Sequence, residues 1–150
     1  MFSNDIRPEL PLAPTVLYVD DNVQSIDIIS RLLHAKTEWR LITSTLGFEG
    51  LEIATTLQPD LILLDLQLPD ISGLGVLNQL RSDVRTTDTP VVMLSAEAHQ
   101  SKIDECLAAG ANDYFVKPCD LHQFLTALHA FMRGDVHWSP VGVTTSPWAR

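Results

Sequence analysis

The chain of 150 residues carries 19 acidic and 10 basic residues, a net charge of −9, and is 45% hydrophobic. That acidity excludes attachment to DNA or to an anionic membrane through bulk electrostatics, which needs clustered Lys and Arg, so neither nucleic acid nor membrane is expected among its partners. The apolar content suffices for one sizeable core, and no apolar run approaches the roughly 20 residues of a membrane span.

Residues 1–13 read as an extended arm: Asp5 and Glu9 leave no apolar signal segment, and Pro8, Pro11 and Pro14 disfavour helix. Thr15 to Val19 is the first strand, ending in Asp20 and Asp21. Val23 to His34 sets Ile26, Ile29, Leu32 and Leu33 on one helical face. Trp39 to Ser44 is a second strand, and Gly47 to Leu57 a helix with Phe48, Leu51, Ile53, Ala54 and Leu57 as its apolar stripe.

Leu61 to Leu64 is an unbroken apolar run, suited to a strand buried on both faces, and it leads into Asp65 and a loop from Pro69 to Gly73. Leu74 to Arg81 is a third helix, Ser82 to Thr89 a polar loop, and Pro90 to Leu94 a fourth strand ending in Ser95 and Ala96. Glu97 to Ala109 is a weaker helix anchored by Ile103, Cys106 and Leu107, with Gly110 as C-cap. Asp113 to Val116 is a fifth strand, followed by Lys117 and Pro118, where a cis peptide is expected. Asp120 caps a last helix with Leu121, Phe124, Leu125, Leu128, Phe131 and Met132 along one face. Periodicity stops at Gly134, so 134–150 reads as a disordered tail, with docking of Trp138 and Trp148 as the alternative.

The alternation of strand and helix implies an α/β parallel sheet covered by helices on both faces. Ligands bind such sheets at the carboxyl ends of the strands, and there the chain places Asp20, Asp21, Asp65, Ser95 and Lys117. Converging carboxylates need a cation, and hard oxygen donors select Mg²⁺, with Mn²⁺ as alternative. A carboxylate can attack phosphorus to give an acyl phosphate, which makes Asp65 the candidate nucleophile, with Lys117 stabilising the transferring charge. Taken singly, each of these residues has an ordinary structural reading, which is preferred for Asp70 and Asp120 as capping acids. Cys106 and Cys119 lack metal-ligand spacing and read as idle thiols of a reducing compartment. The five histidines read as surface or core-edge side chains.

The pairs Asp20-Asp21, Ser95-Ala96 and Lys117-Pro118, with the segment Asp65 to Gly73, resemble the receiver domain of two-component response regulators in order and spacing, over residues 14–133. The resemblance implies a flavodoxin-like doubly wound (βα)5 fold with strand order 2-1-3-4-5. It implies that Asp65 accepts a phosphoryl group from a histidine kinase or histidine phosphotransfer protein. Metal would be bound directly by Asp21, Asp65 and the Gln67 carbonyl, with Asp20 acting through water. Ser95 would contact a phosphoryl oxygen, Ala96 would leave room beside it, and Gln67 and Glu97 would flank the site. Ser95 and Tyr114 match a switch pair in which the hydroxyl moves towards the phosphoryl group and the ring turns inward. A cytoplasmic monomer or weak homodimer with a downstream protein effector is expected, either stand-alone or excised from a hybrid kinase. The alternatives are a Mg²⁺-dependent phosphatase with an aspartyl nucleophile, whose acids are usually spaced differently, and a degenerate scaffold, against which the complete residue set argues.

Overall fold

The computed structural model describes residues 12–135. The expectations for the 1–11 arm and for Trp138 and Trp148 lie outside them. Five strands, β1 (Thr15–Val19), β2 (Arg40–Ser44), β3 (Leu61–Leu64), β4 (Val91–Ser95) and β5 (Asp113–Val116), alternate with helices α1 (Val23–Lys36), α2 (Gly47–Leu57), α3 (Gly73–Ser82), α4 (Gln100–Ala108) and α5 (Leu121–Met132). The strands form one parallel sheet in the order β2-β1-β3-β4-β5, as expected. The alternation of side chains along each strand divides the core into two layers. On one face Leu17, Val19, Ile62, Leu64, Met93 and Tyr114 meet α2, α3 and α4. On the other, Val16, Tyr18, Leu61, Leu63, Leu94 and Phe115 meet α1 and α5.

β3 is buried along its whole length, which is why its four residues are all apolar. It pairs with β1 at Val19↔Leu64, and the Asp65 amide donates to the Val19 carbonyl, so Asp20 and Asp65 emerge from neighbouring strands at the same level. The chain leaves β1 for β2 on one side and reaches β3 on the other, and at this change of direction the loops part to leave a crevice.

Two segments differ from their sequence reading. The fourth helix starts at Gln100 rather than Glu97, because the Glu97 amide donates to Ser95 Oγ at 3.2 Å and its carbonyl accepts the Tyr114 hydroxyl at 2.7 Å. Those backbone groups are taken by tertiary partners. The polar stretch from Ser82 to Thr89 is a fixed structure. Thr86 is fully buried, its hydroxyl donating to the Leu80 carbonyl, and the Arg81 guanidinium donates to the carbonyls of Thr86, Thr87, Thr89 and Gly110 and to Asn112 Oδ1. Gly110 turns there with φ +109°, the left-handed region expected of a C-cap glycine.

Candidate functional site

Asp20 follows β1 by one residue and is wholly buried. Burial of a carboxylate is tolerated only if its lone pairs are satisfied. Asn22 N donates to Asp20 Oδ1 at 2.8 Å, while the Tyr18 hydroxyl and Lys117 Nζ both donate to Oδ2, the lysine at 2.8 Å. Burial works to raise this carboxyl, but the hydrogen bonds from Lys117, Tyr18 and Asn22 outweigh it and hold Asp20 below the usual range. Tyr18 is driven the other way: burial and its bond to the Asp20 carboxylate keep the phenol protonated.

Asp65, 6% exposed, accepts Gln67 N at Oδ1 and stands 3.4 Å from Lys117 Nζ at Oδ2. Burial, then the neighbouring Asp20 charge, raises its carboxyl above the usual range, against the pull of Lys117. The ammonium also donates to Ser25 Oγ at 3.0 Å. Lys117 is therefore parked on Asp20 and Ser25, within reach of Asp65 but not committed to it. The peptide joining it to Pro118 is cis, as expected.

Asp21 is exposed and takes no hydrogen bond from the described residues. Oxygens of Asp20, Asp21 and Asp65 lie within 4.8 Å of one another. A set of carboxylate oxygens converging beside a single ammonium suits a hard divalent cation such as Mg²⁺. Asp20 accepts three protein donors and Asp65 only two longer ones, so Asp21, which accepts none from the described residues, and then Asp65 are the carboxylates with most lone pairs to spare.

The loop after Asp65 is shaped by two contacts. Gly73 N donates to the Leu66 carbonyl at 2.7 Å, and a Cβ at Gly73 would fall 2.1 Å from the Asp65 carbonyl oxygen, so only glycine lets α3 start this close to the strand end. Asp70 does cap a helix, though not the one it precedes. Its carboxylate accepts Gly47 N and Phe48 N at the start of α2, at 2.8 and 3.0 Å, and these amides hold it below the usual carboxylate range. Asp120 caps α5 by accepting Gln123 N.

Ser95 ends β4 fully buried, and Ala96 follows at the surface. Tyr114 is equally buried, its hydroxyl on the Glu97 carbonyl and in contact with the Ser95 hydroxyl, and burial pushes the phenol up to about 12. The ring already occupies an inward position. Glu97 ties these residues together and extends outward, its Oε2 accepting His99 N and meeting His99 Nδ1.

Asp20, Asp21, Asp65, Lys117 and Gln67 thus come together, with Ser95 and Tyr114 joined through Glu97 on the neighbouring strands. Sequence reasoning missed Tyr18, Asn22 and Ser25. Tyr18 was legible in principle, since a residue two before Asp20 on an extended chain shares its face. Ser25 was not, because only the packing of α1 brings it to a lysine 92 residues away. Cys106 is buried, burial pushing its thiol up to about 11, and His129 packs against Trp39 with ring centroids 4.8 Å apart.

Residues 16–129 match the family model described as response regulator receiver domain. The DNA-binding dual master transcriptional regulator RpaA of Synechocystis sp. is 39% identical over 121 residues, 80% of this chain and 49% of that protein. The polar-differentiation response regulator DivK of Brucella ovis is 30% identical over 124 residues, 83% of this chain and 99% of that protein. The chain spans about half the length of the first of these relatives. Among solved structures, the receiver domain of sensor histidine kinase PA1611 from Pseudomonas aeruginosa, described with a magnesium ion coordinated in its active site cleft, superposes with a TM-score of 0.75 at 26% identity, covering 81% of this chain and 99% of that one.

Proposed function

This chain belongs to the response regulator receiver domain family, and we propose that it works as a phosphoacceptor in which Asp65 takes a phosphoryl group from a phosphohistidine. The observation that carries the reading is the unequal seating of Lys117, at 2.8 Å from Asp20 and 3.4 Å from Asp65. An ammonium so placed can follow negative charge as it builds on a phosphoryl group at Asp65. The residues fit Mg²⁺: Asp21, Asp65 and the Gln67 carbonyl would hold it, with Asp20 behind them, and the ion would screen the acids and the incoming phosphoryl oxygens. Burial, which raises Asp65, also keeps water from the carboxylate that must act as nucleophile.

A mostly apolar groove of about 430 Å³ runs beside Lys117, lined by Ser25, Ile28, Ile29, Pro118, Cys119 and Leu121. A histidine kinase or phosphotransfer protein docked there would present its phosphohistidine next to Asp65. On the far side of the site Ser95, Glu97 and Tyr114 form the switch. Because the Tyr114 ring is already inward, the change on phosphorylation would be in the hydrogen bonds of its hydroxyl and of Ser95, read out by an effector on α4 and β5. No described helix is long and apolar enough to cross a membrane, and a cytoplasmic setting is part of this reading.

Incubation with acetyl phosphate and Mg²⁺ tests the assignment. Intact mass is expected to rise by one phosphoryl group in the wild-type protein and not in Asp65→Asn or in EDTA. Labelling that persists in Asp65→Asn, or that maps to a histidine, would overturn it.

A further inference from the structure

Asp20 makes an unusual demand on the site. Its carboxylate is fully buried and charged, and one of its two oxygens depends on a lysine that the transfer reaction needs elsewhere. If Lys117 moved onto the phosphoryl group and nothing replaced it, Asp20 Oδ2 would be left buried without a donor, and such a stranded charge is costly. The oxygen has a second donor. The Tyr18 hydroxyl, on β1 and itself 0% exposed, bonds the same Oδ2, and the Ser25 hydroxyl, which accepts from Lys117, also bonds the phenol.

Apart from Asp20 and Ser25, the described residues leave Tyr18 no polar partner. Its ring sits in the apolar layer with Val16, Leu63, Phe115 and Phe124. An apolar residue would fill that place as well, so the hydroxyl is what the position adds. A carboxylate oxygen only accepts, so in this contact the Tyr18 hydroxyl is the donor.

We propose that Tyr18 is a positioning residue for phosphoryl transfer: by sharing one oxygen of the buried Asp20 carboxylate with Lys117, it lets the lysine leave for the phosphoryl group without stranding a charge. The proposal rests on the phosphoacceptor reading of Asp65. With acetyl phosphate, the bond between phosphorus and the bridging oxygen breaks and acetate leaves with the electron pair. A new P–O bond forms to the Asp65 carboxylate. Lys117 shifts from Asp20 towards the phosphoryl oxygens in the same step, while Tyr18 stays where it is, and no proton changes hands between Tyr18 and Asp20.

Tyr18→Phe is the direct test, with folding verified by thermal melting. Its maximal phosphorylation rate at saturating acetyl phosphate and Mg²⁺ is expected to fall about 10-fold, the effect of one lost hydrogen bond to a charged group. The Mg²⁺ concentration giving half the thermal shift, read without phosphodonor, should stay within about twofold, since Tyr18 touches neither Asp21 nor Asp65. In a Lys117→Met background the same substitution should have no further effect on the rate, because no lysine is left to release; a purely structural role would carry over unchanged. A wild-type rate in Tyr18→Phe, a defect traced to Mg²⁺ affinity, or an undiminished effect without Lys117 would each overturn the proposal.

A measurement on the wild-type protein guards against a variant that fails to fold. On adding beryllofluoride, the Lys117 side-chain resonance should move while the Tyr18 ring carbon bearing the hydroxyl keeps its shift. Equal movement of both would show that Tyr18 leaves Asp20 with the lysine, and the proposal would fail. Labelling of Asp65→Asn, by contrast, would sink the phosphoacceptor reading and not the role of Tyr18 towards Asp20.

Discussion

Among the described residues, the two ends of the sheet each hold one partly buried cation, and they use it in opposite ways. At the amino ends of β4 and β5 the planar guanidinium of Arg81 donates to the carbonyls of Thr86, Thr87, Thr89 and Gly110 and to Asn112 Oδ1, all of them neutral. Every donor direction is used, and the group has nowhere better to go. At the carboxyl ends, Lys117 is one ammonium among Asp20, Asp21 and Asp65, bonded tightly to the first and loosely to the last. Its three donors point to Asp20, Ser25 and, at the longest distance, Asp65, with no fixed plane to hold them, and the acids around it exceed its charge. Satisfied acceptors around a rigid cation make scaffold; surplus acceptors around a mobile one make a site that can respond to added charge.

Arg81→Ala should give the largest change in stability. It would leave several partly buried carbonyls without donors, and we expect a loss of at least about 3 kcal/mol in denaturant unfolding. Arg81→Lys should recover less than half, since an ammonium cannot span both loops. A loss below about 1 kcal/mol would mean that the two cations are not the contrast described above.

Asp113, also at the amino end, sharpens the comparison by having almost no help. It is 5% exposed, its one donor among the described residues is the adjacent Tyr114 amide, and burial pushes its carboxyl up to about 7. The folded protein therefore keeps a proton that the unfolded chain, with an ordinary Asp value of 3.8, releases. Stability from this group is complete below about pH 4, declines as pH rises towards 7 and is flat beyond. Asp113→Asn should consequently be more stable than wild type at pH 8, by on the order of 4 kcal/mol, with the gain vanishing near pH 4. A constant difference across that range would show that Asp113 is ionised in the fold.

The surplus at the carboxyl end predicts that a divalent ion stabilises the protein. At free Mg²⁺ about ten times its dissociation constant the gain is roughly 1.4 kcal/mol, about 3 to 6 °C in Tm. Asp21→Asn should remove most of it, and Arg81→Lys none. Melting curves that coincide in EDTA and in millimolar Mg²⁺ would refute the cation site.

The smallest expected effect is on local opening. α4 buries only Ile103 and Cys106, and its N-cap, His99, makes no side-chain capping bond, so it is the helix held least firmly. Beryllofluoride should alter hydrogen exchange mainly in 95–109 and around Tyr114, with a smaller change in α1 and none in the loops gripped by Arg81. Ser95→Ala should suppress the change while Asp65 is still phosphorylated. Exchange differences confined to 134–150 would move the output to the tail.

The sequence by itself was enough for the succession of strands and helices, because periods of 2 and 3.6 are local properties, and strand ends could be read where apolar runs met Asp20, Asp65, Ser95 and Lys117. Nearly the whole candidate site was legible for the same reason: in a parallel sheet the carboxyl ends of all strands lie together, so residues far apart in the chain needed no contact information to be grouped. The order β2-β1-β3-β4-β5 came from the family likeness of the motifs and is borne out. What only the tertiary structure decided was who donates to whom. Asp70 caps α2 rather than the helix it precedes, Arg81 turns an apparently loose polar stretch into a clamp, and Glu97 stays out of α4 because Ser95 and Tyr114 claim its backbone. Tyr18 looked like one more strand residue until folding brought Lys117 to the same oxygen of Asp20. A hydrogen bond depends on directions and tenths of an ångström between side chains, and those are set by how whole helices seat on the sheet, a quantity no local pattern contains.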